Sequence, residues 1–301
     1  MSRATRVAAM WAGLWVLAVS PLAAQDSIYG GQERQFADHW SDWPSTYSAT
    51  TLRPAGQPLI PLFEGWYTNP DGTQGFSFGY FNMNFEETFH IPIGPDNSLV
   101  ATQYGGEFNG MQPTFFMPAL PRGREGEQRH YRHESVFTVT VPADFVGDLV
   151  WTLRYKGMTV KVPGRTTSGA YAIENLQATT SAPLAPAIRL DLSGPEGRGQ
   201  DGLMAAPRNA RVGVPLPLSV SVRPLTGNPH LVFWYSHQGP AEVAFSLQQS
   251  PVEGAGGDVA TTATFSQPGE YMVRVTVLET LAALVQHCCF SNGYVKVTVT
   301  P

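Results

Sequence analysis

The chain has 301 residues, with 19 basic and 24 acidic side chains and a formal net charge of −5 at pH 7. An acidic chain without a dense basic segment lacks the electrostatic footprint of a nucleic-acid-binding protein, so we exclude nucleic acid as a partner. Its 30 glycines and 25 prolines predict many turns, and its length favours two domains of ordinary size.

Residues 1–24 have the layout of a secretory signal peptide. Arg3 and Arg6 precede an apolar segment from Val7 to Val19, and small residues follow up to Ala24. The apolar segment is shorter than the roughly 20 residues that a membrane span needs. We therefore expect cleavage after Ala24, no transmembrane segment in the mature chain, and a periplasmic or extracellular location.

Residues 25–55 show no sustained period and predict an extended N-terminal arm. Residues 56–164 alternate short apolar segments with turn signals, which predicts a β-sandwich domain. The turn NPDG joins FEGWYT to GFSFGYFNMN as a hairpin, and Lys156 with Gly157 joins DLVWTLRY to MTVKV as another. Because short connections of this kind join antiparallel strands, we expect an antiparallel sheet.

Residues 165–186 lose periodicity and gain Ser, Thr, Ala and Pro, so we interpret them as a connector. Residues 187–301 contain seven short strand-like segments, a number and spacing typical of an immunoglobulin-like sandwich. The predicted fold class is therefore all-β, with two tandem antiparallel β-sandwich domains, the second of them immunoglobulin-like.

Several segments also carry a family resemblance. The second domain contains GVPLPLSVSV, VFWYSHQGPAEVAFS, ATTATFSQPGEYMVRVTV and a closing VKVTV. Over about 90 residues this combination resembles the PKD and related immunoglobulin-like modules of secreted bacterial proteins. The resemblance implies a turn at Pro268 and Gly269 and a core position for Tyr271. In the first domain, EGWYTNPDGT and FGYFNMNFEE are similar to segments of uncharacterised secreted bacterial proteins, which implies no activity.

The connection between the last two strands of the second domain is unusual. PKD-like modules commonly have a short polar turn there, whereas this chain has LETLAALVQHCCFSN, residues 278–292. Loops of this length are uncommon and often functional. Because an apolar insert on a rigid sandwich packs on a neighbouring domain or meets a partner, we predict that this loop is a contact surface.

Cys288 and Cys289, the two cysteines of the chain, lie in this loop. Neighbouring Cα atoms are about 3.8 Å apart, below the usual disulfide range of about 4.4 to 6.8 Å, so a bridge between them is strained. Three interpretations remain open: unbridged thiols, a vicinal disulfide that stiffens the loop, and a bridge to another chain. A metal site with His287 is disfavoured because consecutive side chains seldom converge on one ion. We expect no metal and no cofactor.

The first hairpin offers a candidate ligand site. Trp66, Tyr67 and Tyr80, with the amide of Asn69, predict a platform on which sugar rings stack. The alternative is that half of these rings fill the sandwich, because each strand buries one face.

Catalytic signatures are missing from the sequence. It contains no G-x-S-x-G, H-E-x-x-H or phosphate-binding glycine motif. The segment HYRHE, with His130, His133 and Glu134, is interpreted as the solvated start of a strand. We predict a non-catalytic binding or structural module at the cell envelope or outside the cell, with a protein or an envelope glycan as partner. The alternatives are a carbohydrate-binding protein and a secreted hydrolase with a dispersed site, for example a histidine with Glu86, Glu87 or Glu134.

Overall fold

The computed structural model describes residues 53–103, 106–118, 121–122, 129–130, 132–166, 169–173, 185–191, 194–279 and 290–301. The predicted signal peptide and most of the predicted arm fall outside these residues. Residues Leu52–Pro301 form one compact unit. The boundaries predicted for the arm, the two domains and the connector stay predictions.

The described residues of the N-terminal half form ten strands and one short 3-10 turn. They are β1 (Leu59–Thr68), β2 (Gln74–Asn82), β3 (Phe89–His90), β4 (Asn97–Ala101), β5 (Phe115–Phe116), β6 (Pro121–Arg122), β7 (Arg129–His130), β8 (His133–Val141), β9 (Leu149–Tyr155), β10 (Met158–Gly164) and the turn Gly169–Tyr171.

Ten further strands lie in the described part of the C-terminal half. They are β11 (Ala187–Arg189), β12 (Leu203–Met204), β13 (Arg208–Arg211), β14 (Leu216–Arg223), β15 (His230–Gln238), β16 (Ala244–Phe245), β17 (Gln249–Val252), β18 (Gly257–Thr264), β19 (Gly269–Glu279) and β20 (Phe290–Thr300). The described residues contain no α-helix, and hence none long and apolar enough to span a membrane. The all-β prediction is confirmed.

Two three-stranded antiparallel sheets form the first sandwich, in the orders β1-β2-β8 and β10-β9-β4. Trp151 of β9 is fully buried, with its ring 6.0 Å from Phe78 of β2 and 5.0 Å from Phe137 of β8. These contacts join the two sheets through one aromatic core. Both predicted hairpins are present, and Lys156 and Gly157 have φ of 47° and 77°, as a tight two-residue hairpin turn requires.

The second sandwich has the strand order of an immunoglobulin-like fold. Its sheets are β11-β14-β18-β16 and β12-β20-β19-β15-β17, with β13 beside β20. Lettered A to G in chain order, β11, β14, β15, β16, β18, β19 and β20 give the sheets ABED and GFC. Trp234 on strand C is fully buried, and the Tyr271 hydroxyl donates to the Gln267 carbonyl at 2.9 Å, which is a tyrosine corner. The core position expected for Tyr271 is confirmed, while membership of the PKD modules stays a prediction.

A bulge in β8 distorts the sheet of the N-terminal half. Tyr80 pairs with His133 and Phe78 pairs with Phe137, so three residues of β8 lie opposite one residue of β2. Ser135, inside the bulge, has a positive φ of 43°. Such insertions locally break the ladder and redirect backbone groups.

The carbonyl groups of this bulge are acceptors for the C-terminal half. The Asn292 side-chain amide donates to the Ser135 carbonyl at 2.8 Å, and the Tyr294 hydroxyl donates to the Val136 carbonyl at 2.8 Å. Both donor residues are buried, with at most 1% of their surface exposed to solvent. The two halves are therefore joined by specific buried hydrogen bonds.

A second set of contacts lies at the end of β15. His237 Nε2 donates to the Met111 carbonyl at 2.8 Å, and the Thr114 amide donates to the His237 carbonyl at 2.8 Å. Burial, with a smaller contribution from the nearby Arg274 guanidinium, lowers the pKa of His237 to about 3. The ring is neutral at physiological pH, so these contacts hold without a buried charge on the histidine.

Replacing Tyr294 by Phe tests this interface. We expect the free energy of unfolding to fall by about 1 kcal/mol, because the Val136 carbonyl loses a buried hydrogen-bond donor. Urea unfolding followed by tryptophan fluorescence measures the change. Tyr171→Phe is the matched control, since Tyr171 is 49% exposed. Equal midpoints for the two variants would contradict a stabilising role for this hydrogen bond.

Candidate binding groove

One edge of β14 is open over part of its length. On its first edge β14 pairs with β18 from Leu216 to Val222. On its second edge β11 pairs with residues 221–223 alone, and no other described strand lies beside residues 216–220. After β11 the chain leaves this sheet and enters the opposite sheet as β12 and then β13, both beside β20. We call the gap between β14 and β13 the seam.

Three cavities follow the seam. The largest, of 590 Å³, lies between residues 190–208 and β14, and the next has a volume of 470 Å³. These two share the lining residues Leu190, Ala205, Arg208 and Ser219. The third, of 340 Å³, lies where β13 approaches the start of β14, at Ala210 and Leu216. Volumes of this size fall in the range of ligand sites. The two larger cavities share lining residues and make one groove, and the lining of the third follows it along the chain, with Asn209 next to Arg208 and Leu216 next to Pro217.

The floor of the groove is apolar. Leu218 of β14 and Val295 of β20 line it from opposite sheets, and both are buried. Leu190 and Ala205 belong to the same core cluster. The groove therefore opens on the hydrophobic core of the sandwich.

Pro217 shows which backbone groups face the seam. Proline has no N–H, and within sheets it occupies positions whose nitrogen faces an unpaired edge. Because the opposite edge of β14 pairs with β18, the nitrogen and carbonyl of Pro217 face the seam. Residues two apart in a strand point their backbone groups the same way. The N–H and C=O of Ser219 therefore face the seam as well.

An arginine cluster lies at the β11 end of the groove. Four arginines share two carboxylates there: Arg189, Arg198 and Arg223 pair with Glu196, and Arg208 pairs with Asp191. Exposed pairs of this kind contribute about 0 to 1 kcal/mol each, so their effect on stability is small. Asp258 also lies at this end, where it accepts a hydrogen bond from Ser221, the β14 residue paired with Arg189. Four guanidinium groups with three carboxylates leave a formal excess of one positive charge at this end of the groove.

Few ionisable side chains line the groove. Among the described residues, those that line the three cavities are Asp191, Arg208 and Arg211, with no histidine or cysteine. The described part of the chain also holds no group of three or more His, Cys, Asp or Glu side chains placed to bind a metal ion.

Two of the four residues predicted to form the sugar platform are buried in the structure. Tyr67 and Tyr80 are buried, at 3% and 2% exposure, and the Tyr80 hydroxyl accepts a hydrogen bond from the Met117 amide at 3.0 Å. Trp66 is half-buried against the aromatic core, and Asn69 holds the hairpin turn with its backbone and side chain. Trp66 and Asn69 thus keep partial exposure, and their sugar-binding role stays a prediction.

Cys288, Cys289 and His287 lie outside the described residues, so the three interpretations of the cysteines stay open. The two ends of their loop are described. Leu278 is buried in a cluster with Met117 of the N-terminal half, and Asn292 makes the contact with Ser135 described above. The ends of the loop therefore contact the first sandwich, and the contact role of its centre stays a prediction.

The expectation that HYRHE forms a solvated strand start is wrong for His133. This side chain is 5% exposed, its ring stacks on Tyr80 with centroids 4.6 Å apart, and its Nε2 lies 2.9 Å from the Pro118 carbonyl oxygen. Tyr235 of the C-terminal half also contacts the His133 ring, with centroids 5.6 Å apart. The His130 side chain lies outside the described residues.

Comparisons with known proteins assign no family. No protein-family model matches the chain, and no curated protein sequence matches it. It is similar to a protein of unknown function from Porphyromonas gingivalis (10% identity, 80% of this chain and 100% of the other, TM-score 0.23). It is also similar to CfaE, the adhesive subunit of the CFA/I fimbria of enterotoxigenic Escherichia coli (9%, 83% and 82%, 0.22), and to a PapD-like domain of human CEP192 (9%, 38% and 87%, 0.25). Likenesses with TM-scores this low assign no function to the chain.

Proposed function

We propose that this protein is exported and acts in the periplasm or outside the cell as a non-catalytic binding module, with the seam as its ligand site. The observation that carries the proposal is the groove itself, in which three cavities adjoin an open strand edge and an apolar floor. A site of this kind offers both shape and hydrogen-bonding groups to a ligand.

The surroundings of the seam support a preformed site. β14 is paired with β18 along its other edge, and β20 is held between β13 and β19. Ser291 and Asn292, at the start of β20, are buried and hydrogen-bonded. Binding groups on paired strands lose little freedom when a ligand arrives, which favours affinity.

The test uses the mature chain from Gln25 on an array of hexapeptides and an array of glycans. We expect ligands whose affinity falls at least tenfold in Ser219→Trp, because the indole fills the two larger cavities. Gln249→Trp is the matched control, since Gln249 is exposed on β17 and lines none of these cavities. Circular dichroism and urea unfolding confirm that both variants are folded.

If no ligand from either array distinguishes the two variants, the seam is not a ligand site. The export part of the proposal is tested with the same preparations. Recovery of the chain from the periplasm or the medium, with Gln25 at its N-terminus by mass spectrometry, is expected. Recovery from the cytoplasm alone, with residues 1–24 attached, would contradict it.

A further inference from the structure

The seam presents backbone groups that pair with no described strand, in the order of a β-ladder. The C=O of Pro217 and both the N–H and the C=O of Ser219 face it, as argued above from the pairing of β14 with β18. An open strand edge is a template for another extended chain, whose backbone supplies the complementary groups. The same edge already carries such a partner farther along, where β11 pairs antiparallel with residues 221–223.

The length of the open edge sets the length of the ligand. Residues 216–220 span about 17 Å at roughly 3.3 to 3.4 Å per residue. Five or six residues of an extended chain would fill this space, and they would continue the line of β11 from its end at Arg189.

The residues that line the cavities determine which side chains of a bound strand fit the groove. Alternate residues of an added strand point to opposite faces, so every second side chain would meet the floor formed by Leu190, Leu218 and Val295. Small aliphatic side chains complement this floor. Among the described residues that line the three cavities none is aromatic, so this lining offers no stacking surface of the kind that sugar rings favour.

The charge at one end of the groove selects among peptides. Four arginines with the carboxylates of Asp191, Glu196 and Asp258 leave one excess positive charge at this end, and charge complementarity guides and selects partners at such surfaces. A ligand with acidic residues at the end nearest Arg208 and Arg189 matches it.

We infer that the ligand of the seam is an extended polypeptide segment of another protein, which adds to the open edge of β14 as a strand. It carries small aliphatic residues at alternate positions and acidic residues at the arginine end. This inference rests on the proposed function and names the partner class of the same site.

The experiment is an N-methyl scan of the hexapeptides that the array selects. Each peptide is synthesised with a single methyl group on one backbone amide at a time, and its affinity for the mature chain is measured by isothermal titration calorimetry. Strand addition predicts a period of two: methylation of the amides that face β14 weakens binding at least tenfold, and methylation of the amides between them changes it less than twofold. Replacing the acidic residues by their amides should weaken binding at least fivefold at low salt.

The outcomes separate the two proposals. A uniform response to methylation, or none, would overturn strand addition while leaving the seam a binding site. Strand addition would also be overturned if the ligands that lose affinity in Ser219→Trp all came from the glycan array. An array without any ligand sensitive to Ser219→Trp rejects the proposed function itself. Unchanged affinity after the acid-to-amide replacement would overturn the part of the inference that concerns the arginines.

Discussion

Replacing Asn97 by Ala should lower the free energy of unfolding by about 3 to 5 kcal/mol, because three buried polar groups lose their partner at about 1 to 3 kcal/mol each. Asn97 is fully buried. Its amide nitrogen donates to the carbonyls of Ile91 and Pro113 at 2.9 and 2.8 Å, and its amide oxygen accepts from the Trp151 indole at 3.0 Å. One side chain thus joins β4, the core tryptophan and the segment that leads to β5.

The same substitution should loosen the contact between the two halves. Pro113 belongs to residues 110–114, and this segment accepts hydrogen bonds from the C-terminal half. Gln238 Nε2 donates to the Gly110 carbonyl at 2.8 Å, and His237 Nε2 donates to the Met111 carbonyl at 2.8 Å. Without the Asn97 amide, the segment loses an anchor on the N-terminal half, and its backbone amides should exchange hydrogen faster.

Urea unfolding at pH 7 and hydrogen exchange read by mass spectrometry measure the two effects. Asn209→Ala is the matched control, because Asn209 is exposed on β13. A change below about 1 kcal/mol for Asn97→Ala, the size of a single ordinary hydrogen bond, would show that the three partners are satisfied in another way.

The strands and hairpins could be predicted from the sequence because their causes are local. Alternation of apolar residues and tight turns define β1, β2, β9 and β10 within a few residues each. The immunoglobulin-like class of the second sandwich was predicted from the number and spacing of seven short segments, and Tyr271 occupies the expected core position. The strand segments and hairpins depend on neighbours within about a dozen residues in the chain.

The second face of β2 could not be predicted in this way. Ser77 and Gly79 alternate with Phe76, Phe78 and Tyr80, a pattern that is typical of one buried and one solvated face. Ser77 is nevertheless fully buried, and its hydroxyl donates to the Gln200 side chain at 3.2 Å. A residue 123 positions away covers this face, and no local pattern carries that information.

One feature of the sequence indicates the seam. Pro217 interrupts the alternating segment GVPLPLSVSV, and a proline inside a strand indicates an unpaired edge. The cavities beside it depend on β11 leaving the sheet after Arg189, which the sequence does not indicate. The arginines at its end are scattered between Arg189 and Arg223 and converge through folding. Tyr67 of the predicted platform is buried while Trp66 keeps partial exposure, because neighbours in sequence point to opposite faces of one strand.

The buried carboxyl of Glu64 should make the stability of the fold depend on pH. Glu64 is the extra residue of a bulge in β1, between the pairs formed by Phe63 and Gly65. Its side chain is 1% exposed and lies 3.0 Å from the Arg132 guanidinium, which also contacts Glu134 at 3.2 Å. Burial raises the pKa of Glu64 from its ordinary 4.5 to about 7, against the lowering effect of Arg132 and with a small rise from Glu134.

The direction of the effect follows from this shift. Between pH 4.5 and about 7 the folded state holds the Glu64 proton and the unfolded state releases it. Stability therefore falls as the pH rises through this window and levels off above it. From pH 5 to pH 8 we expect Glu64 to remove about 2 to 3 kcal/mol of stability, at 1.36 kcal/mol per pKa unit.

Glu64→Gln isolates this contribution, because the amide has the shape of the carboxyl group without its titration. The free energy of unfolding of the variant minus that of the wild type should be about 2 to 3 kcal/mol larger at pH 8 than at pH 5. Other titrating groups contribute equally to both proteins and cancel in this difference. Urea unfolding at both pH values measures the difference, and Glu242→Gln, at an exposed position, is the control. The same difference at both pH values would mean that Glu64 titrates alike in the folded and unfolded chains. In that case the bulge of β1 places its carboxyl group in contact with water.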